Sequence, residues 1–395
     1  MMSSTATDLE IQRATAIHDS GWSRSFTFYQ PRNLAFWAYL LLVVTGTVTF
    51  VSALISSYDA YPQAITLAVV VFALYGAVFG WFTQHIDRYA RQPVKLMVVA
   101  FVWGGFAATW AMAAHANDAI RALYAKALGQ AWSFDWGAGL AAPFTEEIAK
   151  GAGLVLLIAM APRLVRTAFD GFILGAFIGL GFQIVEDIAY AMTSAGSQFG
   201  ANQVDAAMGT IVMRMAFGVT AHILYSAVFC AGLVYLLGRP AEPRRVGRGL
   251  ALMASAMVLH GLWDSVGAIS GGNLVLTYLL LAGIVIVALV VVVRVFKMTV
   301  ARERDFLRDI VAPEVAGGVL TAEEFEAMCG DRKTRKAFRK GAADHRGRAR
   351  RAHVLEAAFD LADELASAHG ADTDRVQFAR NEVARIRAGE PSPAL

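Results

Sequence analysis

Residues 34–56 read LAFWAYLLLVVTGTVTFVSALIS, a run of 23 residues with no charged side chain. A helix needs about 20 consecutive apolar residues to cross the hydrocarbon core of a bilayer, so this run predicts a membrane span. Seven further runs have a similar length and composition: 64–84, 94–115, 138–160, 169–193, 208–237, 248–269 and 273–295. The sequence therefore predicts an all-α fold, a polytopic transmembrane helical bundle of about eight spans.

The overall composition agrees with a membrane protein. Hydrophobic residues make up 56% of the 395 residues, whereas soluble domains contain about 45–50%. The net charge of +3 is too small to indicate a nucleic-acid partner. Only two cysteines occur, Cys230 and Cys329, which excludes a disulfide framework and a thiolate metal cluster. The lipid bilayer is therefore the first partner that the sequence predicts.

The loops between the predicted spans differ in their content of lysine and arginine. The loops at 57–63, 194–207 and 270–272 contain neither residue, whereas the intervening loops after the second, fourth and sixth spans are basic. Basic loops face the cytoplasm, so the pattern predicts a multi-pass protein of the cell membrane with both termini cytoplasmic. The exception is the loop 116–137, which carries Arg121 and Lys126; residues 119–130 within it are expected to form an interfacial helix. The alanine- and arginine-rich composition is typical of a bacterium.

Three regions follow from this pattern: a cytoplasmic N-terminal segment (1–33), a membrane domain (34–296) and a charged cytoplasmic C-terminal region (297–395). Thr321 and Glu324 in the last region form a capping-box pattern, which predicts a small helical region. Its basic residues between 332 and 351 fit either a solvated surface or attraction to anionic lipid headgroups.

Ionisable side chains in the middle of the predicted spans are confined to the fourth to seventh spans. They are expensive in hydrocarbon and mark functional sites. The set comprises Glu146, Glu147 and Lys150, then Glu186 and Asp187, then Arg214 and His222, and finally His260 and Asp264. Under the predicted orientation Glu146, Glu186 and His260 lie within about 3 Å of one depth, in the outer half of the membrane. The sequence predicts that they share one site.

Helical spacing relates some of these residues to one another. Lys150 lies four residues after Glu146, and Asp264 lies four residues after His260, so each pair shares a helix face. Lys150 is suited to keeping a carboxylate ionised, and Asp264 to orienting the imidazole. Less specific roles are also open: Glu147 pairing only with Lys150, His222 bonding between helices, Asp187 facing the outer interface and Arg214 anchoring its helix there.

The same residues form motifs. The stretch 143–150, PFTEEIAK, resembles the P-x-x-E-E-x-x-K motif of PrsW-type intramembrane metalloproteases, a family distantly related to CAAX-processing proteases. The stretch 170–190 is similar to the DG-x-x-x-G and F-x-x-x-E motifs of that family, the second ending at Glu186. Arg214 with Ala221-His222 resembles the third motif, and His260 to Asp264 the fourth, H-x-x-x-D. The resemblance covers residues 138–268, a protease-like core; Asp187 departs from it, because the family has asparagine there.

The resemblance implies an intramembrane or membrane-proximal endopeptidase that hydrolyses membrane-anchored proteins. A water molecule must be activated in a dry site, by a metal or by a carboxylate. One hypothesis is that Zn²⁺ is held by His222, His260 and a glutamate, either Glu186 or Glu147, with Glu146 as general base. The alternative is metal-free, with Glu146 and a histidine polarising the water. An anti-sigma factor is the substrate that the resemblance suggests.

Two other functions fit the buried charges. Carboxylates and histidines in a membrane also form proton relays, so a proton-coupled transporter or channel is one alternative. The absence of an internal repeat between the two halves argues against it. A non-catalytic membrane scaffold that retains the protease-like core is the other alternative.

Overall fold

The computed structural model describes residues 2–197, 200–218 and 221–389. Regular structure in these ranges is helical, apart from one isolated β-bridge between Arg239 and Glu242. The first helices are α1 (Met2–Ser20), α2 (Leu34–Ala60), α3 (Pro62–Ile86), α4 (Val94–Val102), α5 (Ala114–Leu128), α6 (Gln130–Met160) and α7 (Ala168–Gly196). They are followed by α8 (Gln203–Gly218), α9 (His222–Leu237), α10 (Val246–Asp264), α11 (Val266–Ser270) and α12 (Leu274–Ala316). The last are α13 (Ala322–Cys329), α14 (Arg332–Lys340), α15 (His345–Ser367) and α16 (Asp374–Ala388).

Seven helical stretches in the described residues are long and apolar enough to cross a membrane: Leu34–Ala60, Pro62–Tyr89, Val94–Leu128, Ala168–Gly196, Gln203–Leu237, Val246–Asp264 and Leu274–Ala316. Residues 219–220 of the fifth stretch lie outside the described residues. The predicted span 138–160 falls within α6, whose 31 residues measure about 46 Å. Helix α6 carries Glu146, Glu147 and Lys150 within five residues and is not among these seven stretches. The all-α polytopic bundle is therefore confirmed, with seven such stretches in the described residues where the sequence predicted about eight spans.

The third span differs from its prediction. A π-helical stretch, Trp103–Ala113, directly follows α4 and leads without a break into α5. Residues 119–128 therefore continue the third span, where the sequence predicted a separate interfacial helix. The first residue of the π-helical stretch is attached to α6: the indole nitrogen of Trp103 donates a hydrogen bond to the carbonyl oxygen of Ala149 at 3.0 Å. This anchor holds the third span against the most polar part of α6.

Two compact units are formed. One contains the described residues of Met1–Ser25, Tyr89–Arg91 and Val300–Leu395, and the other contains Phe26–Arg88 and Gln92–Thr299. In the first unit Glu314 is buried and binds Arg13 at 2.8 Å and Arg380 at 2.7 Å. The predicted capping box is present: Thr321 and Glu324 cap the first turn of α13.

Helix α7 is the centre of the second unit. Its residues 168–185 are all buried, and a helix that is apolar on every side needs neighbours all round. Glycines allow these neighbours to approach closely: a Cβ atom at Gly181 would collide with the carbonyl oxygen of Phe101, and one at Gly179 with that of His222. The position of Glu186 in the bundle therefore depends on glycine-mediated helix packing.

A methyl group at Gly181 tests this packing. We expect Gly181→Ala to destabilise the protein by about 1–3 kcal/mol, because the Phe101 carbonyl leaves no room for a side chain. The measurement is thermal unfolding of the purified protein in detergent. Gly283→Ala on α12, where no heavy atom lies within 4 Å of the added carbon, is the matched control. Equal melting temperatures for the two variants would show that α7 is not packed as described.

Candidate active site

One turn of α6 places three ionisable side chains in the interior. Glu146, Glu147 and Lys150 are 4%, 0% and 0% exposed. The Lys150 ammonium donates to Glu147 Oε1 at 2.9 Å and lies 3.4 Å from Glu146 Oε2. It also lies 3.9 Å from the ring centre of Phe182, which adds a cation–π contact. The lysine therefore compensates two carboxylates that would otherwise be costly to bury.

His222 enters the cluster at the first residue of α9. Its backbone N–H donates to Gln183 Oε1 at 3.3 Å, which ties the start of α9 to α7. The imidazole Nδ1 lies 2.9 Å from Lys150 Nζ, and Nε2 lies 2.9 Å from Glu186 Oε2. An ammonium group has only donors, so Nδ1 accepts from Lys150 and the Nε2 hydrogen is donated to Glu186. This tautomer leaves the Nδ1 lone pair directed at the cluster.

His260 enters from α10 and is 1% exposed. Its Nδ1 lies 3.1 Å from Glu147 Oε1, and its Nε2 lies 3.4 Å from Asp264 Oδ2 and 3.6 Å from Glu146 Oε2. The ring of Tyr225 stacks on the imidazole at 5.6 Å, and the His222 ring meets it edge-on at 5.0 Å. Both histidines are therefore fixed in orientation and contact each other.

Arg214 on α8 binds the acidic pair of α7. Its Nη2 lies 2.5 Å from Glu186 Oε2, and its Nε binds Asp187 Oδ1. Gln183 Nε2 donates to both oxygens of Asp187, at 2.9 Å each. Asp187 is fully buried in this network. The sequence had suggested an interfacial position for both Asp187 and Arg214, whereas in the structure the two side chains bind each other within the bundle.

The residues that a metal ion would need converge on one point. Glu146, His222 and His260 each direct one ligand atom to a place where all three atoms lie within 4.8 Å of one another. Glu146 Oε2 is 3.7 Å from His222 Nδ1 and 3.6 Å from His260 Nε2. Tetrahedral ligands about 2.0–2.1 Å from zinc would be about 3.4 Å apart. Two imidazoles and one carboxylate are also a donor set of catalytic zinc sites, so these residues fit the metal.

Glu147 and Glu186 lie on the opposite side of the two imidazoles. Glu147 contacts His260 Nδ1 and Glu186 contacts His222 Nε2, the ring nitrogens that point away from Glu146. Carboxylates in this position orient metal-binding histidines. The geometry thus brings Glu146 to the histidines, whereas the sequence had suggested Glu186 or Glu147 as the third ligand.

Three contact residues were not predicted from the sequence. Asn117 Nδ2 donates to Glu146 Oε1 at 3.1 Å, Gln183 binds Asp187, and Tyr225 stacks on His260. Gln183 had a detectable signal, since it precedes Asp187 by four residues and so shares its helix face. Asn117 had none, because the predicted third span ended at residue 115.

Comparison with known proteins identifies the family. The sequence model of the PrsW family intramembrane metalloproteases matches residues 92–295, just over half of the chain and the part that carries every residue of the cluster. No curated protein and no solved structure matches the chain. The resemblance seen in the four sequence motifs is therefore confirmed, and the chain belongs to the PrsW family of intramembrane metalloproteases.

Proposed function

We propose that the chain is a zinc-dependent endopeptidase that cleaves membrane-anchored proteins within or beside the bilayer. The observation that carries this proposal is the convergence of Glu146, His222 and His260, each histidine having its other ring nitrogen on a carboxylate. When bound, the zinc ion supplies a Lewis acid for the peptide carbonyl and an acidic water molecule.

The side chains divide the remaining tasks. Glu147 and Glu186 hold the imidazoles in the tautomers that present His260 Nε2 and His222 Nδ1 to the ion. Lys150 and Arg214 offset part of the negative charge of the cluster. Asp264 is the remaining carboxylate on the side of His260 Nε2, and at 23% side-chain exposure it is the most accessible of the acids. We therefore assign Asp264 as the general base, which accepts a proton from the attacking water.

One contact favours a metal-free mechanism for the same reaction. Lys150 Nζ points at His222 Nδ1 and lies 3.4 Å from Glu146 Oε2, the two atoms that the zinc mechanism assigns to the ion. With the ammonium in this position, Glu146 would itself accept the proton of the water, as the sequence suggested. The zinc mechanism requires a bound metal ion and the carboxylate of Asp264, whereas the metal-free mechanism requires neither.

Metal removal distinguishes the mechanisms. Purified protein is incubated with membranes from cells that lack it, and new protein N-termini are identified by mass spectrometry while bound zinc is measured by elemental analysis. We expect one zinc ion per chain, loss of the new termini with a strong zinc chelator, and recovery when zinc is added back. Full cleavage by zinc-free protein would contradict the zinc mechanism and leave the endopeptidase proposal in place.

Two variants sharpen the assignment. His260→Ala should lose both zinc and cleavage, because it removes a ligand atom. Asp264→Asn should keep zinc and lose at least about a hundredfold in cleavage rate, since general-base catalysis contributes about 10²–10⁴-fold. In the metal-free mechanism Asp264→Asn has only a small effect, because Glu146 takes the proton.

We also propose that both termini are cytoplasmic, on the basis of the basic loops. This orientation puts the cluster in the outer half of the bilayer, which suits a single-span substrate cut near the outer face, such as an anti-sigma factor. Two variants provide the test, each compared with the wild-type chain and its Cys230 and Cys329. Ser57→Cys should gain labelling by a membrane-impermeant reagent in intact cells, and Arg244→Cys should not. The reverse pattern would overturn the orientation.

A further inference from the structure

Glu146 has a polar partner on the third span. Its Oε2 faces the two imidazoles, whereas its Oε1 accepts a hydrogen bond from Asn117 Nδ2 at 3.1 Å. The two oxygens of the carboxylate therefore have separate partners. Because Glu146 is 4% exposed, Oε1 depends on a protein donor for its hydrogen bond.

The carboxamide of Asn117 is itself held in one orientation. The Thr145 hydroxyl, next to Glu146 on α6, donates to Asn117 Oδ1. A carboxamide accepts through its oxygen and donates through its nitrogen, so this bond directs Nδ2 at the carboxylate. Thr145, Asn117 and Glu146 thus form a chain of hydrogen bonds that crosses from α6 to α5 and back.

The π-helical stretch before α5 determines which side of α5 carries Asn117. Its wide turns, Trp103–Ala113, change the rotation of all following residues relative to a regular α-helix, and Trp103 fixes their start against α6. Asn117 follows four residues after the stretch ends and is half-buried against α6. π-Helical turns within α-helices are rare and occur frequently at functional sites.

From this geometry we propose that Asn117 is a positioning residue for the peptidase reaction, which keeps Glu146 Oε2 directed at His222 and His260. The inference rests on the proposed function and holds for both mechanisms, since each uses Glu146 Oε2. Asn117 contacts neither histidine, so it acts through the rotation of the Glu146 carboxylate. A partner of this type contributes about tenfold to a hundredfold to metal affinity or activity.

The test uses three variants of the full chain in detergent. Asn117→Ala removes the donor, and Asn117→Leu removes it while keeping the side-chain volume. Asp118→Ala alters the exposed neighbour on the same helix and is the matched control. For each variant we measure three quantities: the rate at which new N-termini appear in added membranes, the dissociation constant for Zn²⁺ alone, and the melting temperature.

We expect Asn117→Ala and Asn117→Leu to lower the cleavage rate by about tenfold to a hundredfold, with a matching rise in the dissociation constant if zinc is the cofactor. Asp118→Ala should equal the wild type. Thr145→Val should show a smaller loss in the same direction, because Asn117 then loses the bond that orients its carboxamide. Asn117→Gln, which keeps the donor on a longer arm, should recover part of the rate.

A packing role predicts a different pattern. Wild-type rate and metal affinity in Asn117→Leu, with a loss only in a less stable Asn117→Ala, would overturn the proposal. A wild-type protein that neither cleaves nor binds zinc would instead contradict the proposed function itself, and the positioning role with it.

Discussion

The Lys150 ammonium lies in the interior of the bundle, and its position constrains the groups around it. It contacts Glu147 Oε1, His222 Nδ1 and the ring of Phe182, and Glu146 Oε2 is 3.4 Å away. A charge in hydrocarbon is costly unless it is paired and hydrogen-bonded, so these partners must be in place whenever the protein is folded. They come from α6, α7 and α9, and the same constraint extends to α10 through the contact of Glu147 with His260.

This constraint links the packing of the bundle to its chemistry. Helix α7 carries Glu186 and is buried along most of its length, and glycines at 179 and 181 set how closely its neighbours approach. A small change in helix separation would alter hydrogen bonds of 2.9 Å between buried charges. The glycines and the ionisable residues therefore act together: the first fix the spacing of the helices, and the second require that spacing.

The sequence predicted the all-α membrane bundle and the ionisable residues that meet in it, but not the contact residues Asn117, Gln183 and Tyr225. Runs of apolar residues predicted the spans, and depth alone predicted that Glu146, Glu186 and His260 would lie at one level. Depth does not fix the rotation of a helix about its own axis, however. The sequence could therefore not decide which carboxylate faces His222 Nδ1 and His260 Nε2, and it suggested Glu186 or Glu147 where the geometry brings Glu146. Asn117 was missed for a related reason. The third span continues through the π-helical stretch and past residue 115, where the sequence predicted its end, and the stretch changes the rotation of the residues that follow.

We propose that the cluster around Glu146 hydrolyses peptide bonds in membrane proteins. The most direct measurement compares the N-termini of membrane proteins in living cells that carry either the wild-type chain or Glu146→Gln, which keeps the shape of the side chain and removes its charge. We expect a single-span protein to have a cleaved N-terminus near the outer face in wild-type cells only. Identical sets of N-termini in the two strains, under normal growth and under envelope stress, would contradict it.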